Sequence, residues 1–442
     1  MKRNSLFLTT ALLISLASCK STPVQEEPWI SNALGVASYQ LKKTAEELTG
    51  TNQIPRSIHS GYDINFLDSQ LQHEDKSYID SLYPNPSAKE LLQRYICGIE
   101  DWTSGFFPGS LWYAYEMTGD EKLKSRAIQY TNMLNPIRRL KNTHDVGFMI
   151  NCSYGNALRL APDDTIKAVI IETADNLSAR FNPAIGCIRS WDFGEWNFPV
   201  IIDNMMNLEL LFHASKVTGD ESFRKVAISH AEQVMHHQVR KDYSCFHIIY
   251  YDKKTGKPIK GETSQGYSDN SAWSRGQAWG IYGFTMCYRE TKDKRFLKTA
   301  EKMADFYLDH PNLPSDKVAW WDFNAFQEGY TPGIRSNACK MVNNYRDASA
   351  AACVASALLE LSTYSKGSKS KKYLESAKQI LHALGSTNYR AELGKNANFI
   401  LMHSVGAVPH NSEIDVPLTY ADYYFIEALH RYNRMLDGKS PL

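Results

Sequence analysis

Apolar positions along the chain fall into two kinds of helical run, and the two kinds alternate. In one, apolar residues recur at steps of three and four and leave a polar face. Phe296, Leu297, Ala300, Met303, Ala304, Tyr307 and Leu308 form such a stripe, and so do Tyr373, Leu374, Ala377, Ile380, Leu381 and Leu384. In the other kind, "NMMNLELLFHAS", "GQAWGIYGFTMCY" and "ASAAACVASALLEL", there is little charge on any face, so the run is surrounded by protein. Polar turns join the two. "YEMTGDEKL" (Tyr115 to Leu123) recurs as "SKVTGDESF" (Ser215 to Phe223) and "RETKDKRF" (Arg289 to Phe296). It recurs more loosely as "RLAPDDTI" (Arg159 to Ile166) and "TYSKGSKSKKYL" (Thr363 to Leu374).

Five hairpins of a buried helix followed by a half-buried one are therefore legible. A sixth follows from the C-terminal "TYADYYFIEALHRY" and the N-terminal "SNALGVASYQLKKTAEEL", which would close a circle. The pattern predicts an all-α (α/α)6 barrel of six helical hairpins over residues 30–442, with few strands. An open solenoid of hairpins is the competing arrangement.

Composition narrows the function. Of 442 residues, 43% are hydrophobic and 22% charged, as in a folded globular protein, and the formal net charge of +1 argues against nucleic acid as a partner. The first residues, "MKRNSLFLTTALLISLASCKS", join a basic start to an apolar run too short to span a membrane comfortably, ending in L-A-S-C. This reads as a lipoprotein signal over residues 1–19 with Cys19 as the lipidated residue, an ordinary secretory signal being the alternative. Residues 20–29 then read as a tether, and the protein is expected in the periplasm of a bacterial cell envelope, meeting the membrane only through its lipid. The seven other cysteines show no metal-ligand spacing. No metal, no cofactor and no disulfide framework is expected, and Cys287 and Cys353 read as small buried hydrophobes.

The chemistry-bearing residues collect just before each buried helix: "EDWTSGFFPG", "NTHDVGF", "WDFGEWNFPVIID", "SQGYSDNSAWSRGQAW", "VNNYRDASA" and "PHNSEIDVPLTYAD". If the inner helices run parallel, these six segments share one mouth, and six helix N-termini favour an anionic ligand there. Asp145 and Asp203 stand at this rim. Each could be a plain N-cap, but His144 precedes the first, and Asn204 and Asn207 flank the second with more hydrogen-bonding capacity than a cap needs. Trp191, Trp196, Trp273 and Trp279 in rim segments suit sugar stacking, though any one of them could be core. Arg275 and Arg346 read either as carboxylate binders or as salt-bridge partners of Asp269 or Asp347.

Taken in order, "HDVGFM", "VIIDNMMNLELL", "SAWSRGQAWGIYGF" and "YRDASAAA" resemble the unsaturated glucuronyl hydrolases, glycoside hydrolase family 88, over roughly Trp102 to the C-terminus. The resemblance implies that Asp203 is the general acid/base and Asp145 the second essential aspartate, accompanied by His144. It places His247, Gln265, Arg275 and Trp279 against an unsaturated uronate, with Trp102 near a stacking position. The loop from Ser404 to Pro417 matches no motif. Members remove the terminal 4,5-unsaturated uronic acid from lyase-generated oligosaccharides. Two alternatives stand beside this: a related hydrolase of unsaturated galacturonyl-rhamnose fragments of pectin, and a non-catalytic glycan-binding lipoprotein.

Overall fold

The computed structural model describes residues 27–51, 53–58, 94–194 and 198–442. The leader, Cys19, most of the expected tether and Trp196 lie outside the described residues. The first helix begins at Pro28, so the last two residues assigned to the tether belong to the barrel. Glu27 is anchored as well, accepting from Trp29 Nε1 at 2.6 Å and from the Tyr432 hydroxyl at 2.8 Å.

Twelve principal helices make the expected (α/α)6 barrel. The inner ring is α2 (Phe106–Thr118), α4, α6 (Asn204–Thr218), α8 (Ser274–Thr291), α10 (Ala348–Tyr364) and α12 (Thr419–Leu436). Helix α4 consists of Val146–Ile150 and Asn156–Leu160, joined by a π-helical turn over Asn151–Gly155. The outer ring is α1 (Pro28–Glu47), α3 (Glu121–Met133), α5 (Asp164–Ser178), α7 (Glu221–His237), α9 (Lys294–Asp309) and α11 (Ser368–Leu384). Each inner helix packs on the next, and α12 returns to α2, so the ring closes and an open solenoid is excluded. The sixth hairpin pairs the two ends of the chain: α1 packs on α12 and α2, and Trp29 stacks on Tyr432 at 6.4 Å.

The repeated turn has a physical reason. Thr118, Thr218 and Thr291 each donate back to a carbonyl four residues earlier at 2.7 Å, and each hydroxyl accepts from the backbone of the coming aspartate. The next residue takes the left-handed conformation, Gly119 and Gly219 without penalty and Lys292 with one. Asp120, Asp220 and Asp293 then cap the outer helix, each accepting from the amide two residues on. One T-x-D triplet thus ends an inner helix and starts an outer one. On α9 the stripe Phe296, Ala300, Met303, Ala304, Tyr307 and Leu308 is buried against the inner ring, each large side chain contributing roughly 1.5–3 kcal/mol.

At the end of the barrel where the inner helices finish, Arg289 and Arg431 tie four of them together. Arg289 bonds Glu209 and Glu360, and Arg431 bonds Glu360 and Glu427 at 3.0 and 3.4 Å. The site lies at the opposite end, where loops among the described residues carry four small antiparallel sheets. These are β1 (Ile54–Ile58) with β2 (Arg94–Cys97), β3 (Phe181–Asn182) with β4 (Cys187–Ile188), and the three strands β5 (Pro199–Ile201), β6 (Ile248–Tyr251) and β7 (Pro258–Glu262). The fourth is β8 (Ser404–Ala407) with β9 (Ser412–Val416).

Candidate active site

The inner helices do run parallel, and their N-terminal ends bring the expected residues together. Sheet register places the first pair. Ile201 of β5 faces Ile248 of β6, and the Ile202 amide continues the ladder to the His247 carbonyl at 3.0 Å. Asp203, one residue on, therefore lies beside His247, with Oδ2 at 3.8 Å from Nε2. The loop from β7 to α8 orients the imidazole: the Ser264 and Gln265 amides donate to Nδ1 at 3.0 and 3.3 Å. With Nδ1 accepting, the ring proton sits on Nε2 and faces the carboxylate. Burial pushes His247 down to about 3, so the ring is neutral.

Asp203 precedes α6 but does not cap it. No helix amide is bonded to its side chain, and Oδ2 has no hydrogen-bond partner among the described residues although it is buried. Asp145 precedes α4 and likewise caps nothing; it accepts from the Thr143 hydroxyl at 2.7 Å and lies 3.3 Å from His144 Nε2. The simple capping alternative fails for both, in contrast to the four outer-helix aspartates Asp120, Asp163, Asp220 and Asp293, which all cap. Burial, opposed by the nearby Arg275 charge and assisted by Asp145, pushes the Asp203 carboxyl up to about 7. The Trp279 indole N–H tempers the shift. A carboxyl poised there can give or take a proton near neutrality.

His144 is buried, its pKa lowered by burial, and its amide bonds the Ser190 carbonyl at 3.0 Å. Asn207 explains the D-N-M-M-N spacing: its Oδ1 accepts the Phe148 amide at 2.7 Å, fastening the start of α4 to α6. The two aspartate-bearing helix ends are thus joined directly. Gly147 permits this approach, since a Cβ there would come within 2.4–2.6 Å of Asn207.

Arg275 is 1% exposed and is held rather than free. Its Nη1 bonds Asp347 Oδ2 at 3.2 Å and the Val405 carbonyl, its Nη2 bonds the Gly406 carbonyl at 2.6 Å, and it lies 4.5 Å over the Trp273 ring. Of its five N–H groups, two remain for a ligand. Gln265 Nε2 bonds the same Gly406 carbonyl at 3.2 Å. Asp347 caps α10 while pairing with Arg275, as one sequence reading allowed. Arg346 does not join the site: it pairs with Asp316 at 2.9 Å and lies over Trp320, and the Asp269 side chain accepts the Thr263 amide instead.

Two of the rim tryptophans, for which stacking and core were both open, are buried. Trp279 is 0% exposed, packed 5.4 Å from both Phe148 and Tyr424, and forms the floor under Asp203; Trp273 is buried against His247 and Arg275. Trp102 is half-buried, edge-on to Phe106 and Phe148, and Trp191 lies at the rim, stacked on Phe193 at 5.2 Å. The segment from Ser404 to Pro417, which no motif explained, is the β8–β9 hairpin. It supplies both carbonyls to Arg275, and its Glu413 grips Arg56 of β1 at 2.7 Å. Asp347, the hairpin carbonyls, Glu413 and Arg56 were not among the expected site residues. The D-A-S of "YRDASA" was the available signal for the first.

An (α/α)6 barrel with a raised-pKa carboxyl, a second carboxylate and a buried arginine at its mouth has the groups for acid–base chemistry on an anionic ligand. Comparison with known proteins makes it specific. The Glycosyl Hydrolase Family 88 profile matches residues 78–435, and a domain of unknown function matches residues 1–73. The chain is 47% identical over 340 residues to the unsaturated glucuronyl hydrolase of Formosa agariphila, covering 76% of this chain and 81% of that one. It is similar to the crystal structure of an unsaturated glucuronyl hydrolase specific for heparin, with TM-score 0.79, 44% identity and coverage of 92% and 98%. It is also similar to a Streptococcus agalactiae unsaturated glucuronyl hydrolase mutant complexed with dGlcA-GalNAc6S, with TM-score 0.69, 27% identity and coverage of 96% and 97%. The chain belongs to glycosyl hydrolase family 88.

Proposed function

We propose that this enzyme removes the terminal 4,5-unsaturated uronic acid from oligosaccharides that a lyase has released from a glycosaminoglycan. The observation that carries the reading is the Asp203 carboxyl, raised to about 7 and unpartnered at Oδ2 beside the His247 ring proton. Its substrate is a vinyl ether. Asp203 donates its proton to C4, and positive charge develops across C5 and the ring oxygen, where the Asp145 carboxylate stabilises it. The ionised Asp203 then takes a proton from water as the water oxygen bonds C5. The resulting hemiketal opens to a C5 ketone and leaves a hydroxyl on C1, and C1 then releases the remaining oligosaccharide. Water never attacks the anomeric carbon, so the rule linking carboxylate spacing to inversion or retention does not apply.

The other residues serve this sequence. The neutral His247 offers Nε2–H beside Asp203, the two uncommitted N–H groups of Arg275 and the helix N-termini meet the uronate carboxylate, and Trp279 closes the floor. The leader pattern supports a lipid anchor at Cys19 and a periplasmic location, which loss of membrane association in a Cys19→Ala variant would test.

The reaction is tested by ultraviolet absorbance, because protonation at C4 and addition of water at C5 remove the conjugated double bond. Decay on lyase-generated glycosaminoglycan disaccharides with the parent, and none with Asp203→Asn, is the expected result. Decay only on unsaturated galacturonyl-rhamnose would move the enzyme to pectin fragments, and binding without decay on any substrate would make it a glycan-binding protein.

A further inference from the structure

A second anionic site adjoins the first. Between the end of α5, the Lys141 loop and the strand leading from β4 lies a groove of about 540 Å³, lined by Lys141, Arg180, Asn182, Arg189, Asp192 and Lys253 among others. Four cations face one anion there. Asp192 is fully occupied, taking Arg180 Nη2 at 2.9 Å and Arg189 Nη1 at 3.2 Å, and these pairs hold its carboxyl below its usual range. The excess charge is therefore uncompensated by the groove itself. The ammonium groups of Lys141 and Lys253 are exposed and have no partner among the described residues, and Arg189 Nε is buried and unpartnered.

The groove is tied to the catalytic mouth through one short strand. Ser190 accepts the His144 amide, Trp191 bridges Thr143, and Thr143 holds Asp145. Next in the chain after Asp192, Phe193 is 71% exposed yet stacked on Trp191, an apolar surface of sugar-ring size. We propose that this groove is an accessory site for a sulfate ester on the sugar units beyond the cleaved linkage; the proposal rests on the reading of the catalytic site given above. Sulfate is the better match than carboxylate. The Arg180 fork is already engaged by Asp192 and Arg189 gives Asp192 its Nη1, which leaves the Arg189 Nε–H and two lysine point charges converging from separate directions, a set suited to a tetrahedral anion more than to a planar bidentate clamp.

The test uses the double variant Lys141→Ala/Lys253→Ala, whose side chains support no ion pair in the fold. Substrates are unsaturated tetrasaccharides from heparin, sulfated, and from hyaluronan, unsulfated. KM for the sulfated substrate should rise about five- to tenfold with kcat unchanged, and KM for the unsulfated one should stay constant. Added salt should weaken the parent's preference and leave the variant's KM ratio flat. Calorimetric binding of the heparin tetrasaccharide to Asp203→Asn, with and without the lysine pair, separates the two readings. Binding that falls with the lysines in a protein whose parent turns over nothing supports the groove and overturns the reaction. Unchanged KM and binding, or an equal loss on both substrates, overturns the groove.

Discussion

His247 Nε2 stands 3.8 Å from Asp203 Oδ2, and neither atom has a hydrogen-bond partner among the described residues. Two buried polar atoms without partners are costly, and here they face the same space. The fold maintains the arrangement from three sides: the β5–β6 register, the two amides on Nδ1, and the Trp279 floor. The imidazole cannot protonate near neutrality, so the only group of the pair that titrates there is the carboxyl.

The pH–rate profile should therefore have a basic limb near 7. In the proposed cycle Asp203 starts protonated, so kcat/KM should fall as pH rises through its pKa, by about tenfold per unit beyond it. Asp145 contributes to the upward shift, so Asp145→Asn should move the limb to lower pH as well as lowering the rate. A basic limb that stays in place in Asp145→Asn would show that another group sets it.

The same shift has a stability consequence with a definite sign. A carboxyl whose folded pKa is raised destabilises the fold once the unfolded chain ionises, and the cost grows with pH until the folded group ionises too. With Asp203 at about 7 against an ordinary aspartate near 3.8, that cost develops between those values and is constant above them. Asp203→Asn should thus raise Tm by a few degrees, about 2–4 °C, at pH 8 and leave it nearly unchanged at pH 4, while abolishing turnover. Thermal melts at the two pH values decide it; a lower Tm at pH 8 would mean the carboxylate is stabilising.

Arg275 and Asp347 form a pair with almost no exposure on either side. Asp347→Ala removes the α10 cap and leaves a buried guanidinium short of its partner, a loss of about 3–5 kcal/mol. Asp347→Asn keeps the cap acceptor and loses only the charge. The expected order of Tm is parent, then Asn, then Ala. KM should rise in the Asn variant, as Arg275 is reoriented, and circular dichroism checks that its helices persist. A Tm for the alanine variant equal to the parent would sink this account.

How far the site was legible depends on what each residue does locally. Asp145 and Asp203 stood out because they interrupt runs, "HDVGFM" and "VIIDNMMN", that are otherwise buried. Three of the hairpin turns were legible because a T-x-D triplet, with Gly or Lys at its centre, does the same three jobs each time. The β8–β9 hairpin was not, because Asn411, Glu413 and Asp415 adopt positive φ, and these kinks break the strand alternation that would have announced it. Trp279 was ambiguous between platform and core for a different reason. An inner helix is apolar on every side, so its sequence does not say which face meets the aromatic packing around Phe148 and Tyr424. Asp347 was ambiguous because it is truly a cap as well as a partner of Arg275.

Gly147 offers the sharpest test of how the two carboxylates are held together. Its Cα approaches α6 so closely that an added Cβ would meet Asn207 Oδ1 at 2.4 Å and the Asn207 Cα at 2.5 Å. The first contact could relax by a side-chain movement, but the second is with backbone, so the start of α4 must shift. That start carries Asp145 and receives the Phe148–Asn207 bond. Gly147→Ala should cost about 1–3 kcal/mol of stability and lower kcat at least about tenfold, since a displacement near 1 Å at a reacting group is enough for that. Gly35, within α1, is the control: nothing lies within 4 Å of its added Cβ, so Gly35→Ala should stabilise by about 0.5–1 kcal/mol with activity intact. If Gly147→Ala melts and turns over like Gly35→Ala, the close contact between α4 and α6 is not what fixes Asp145 opposite Asp203.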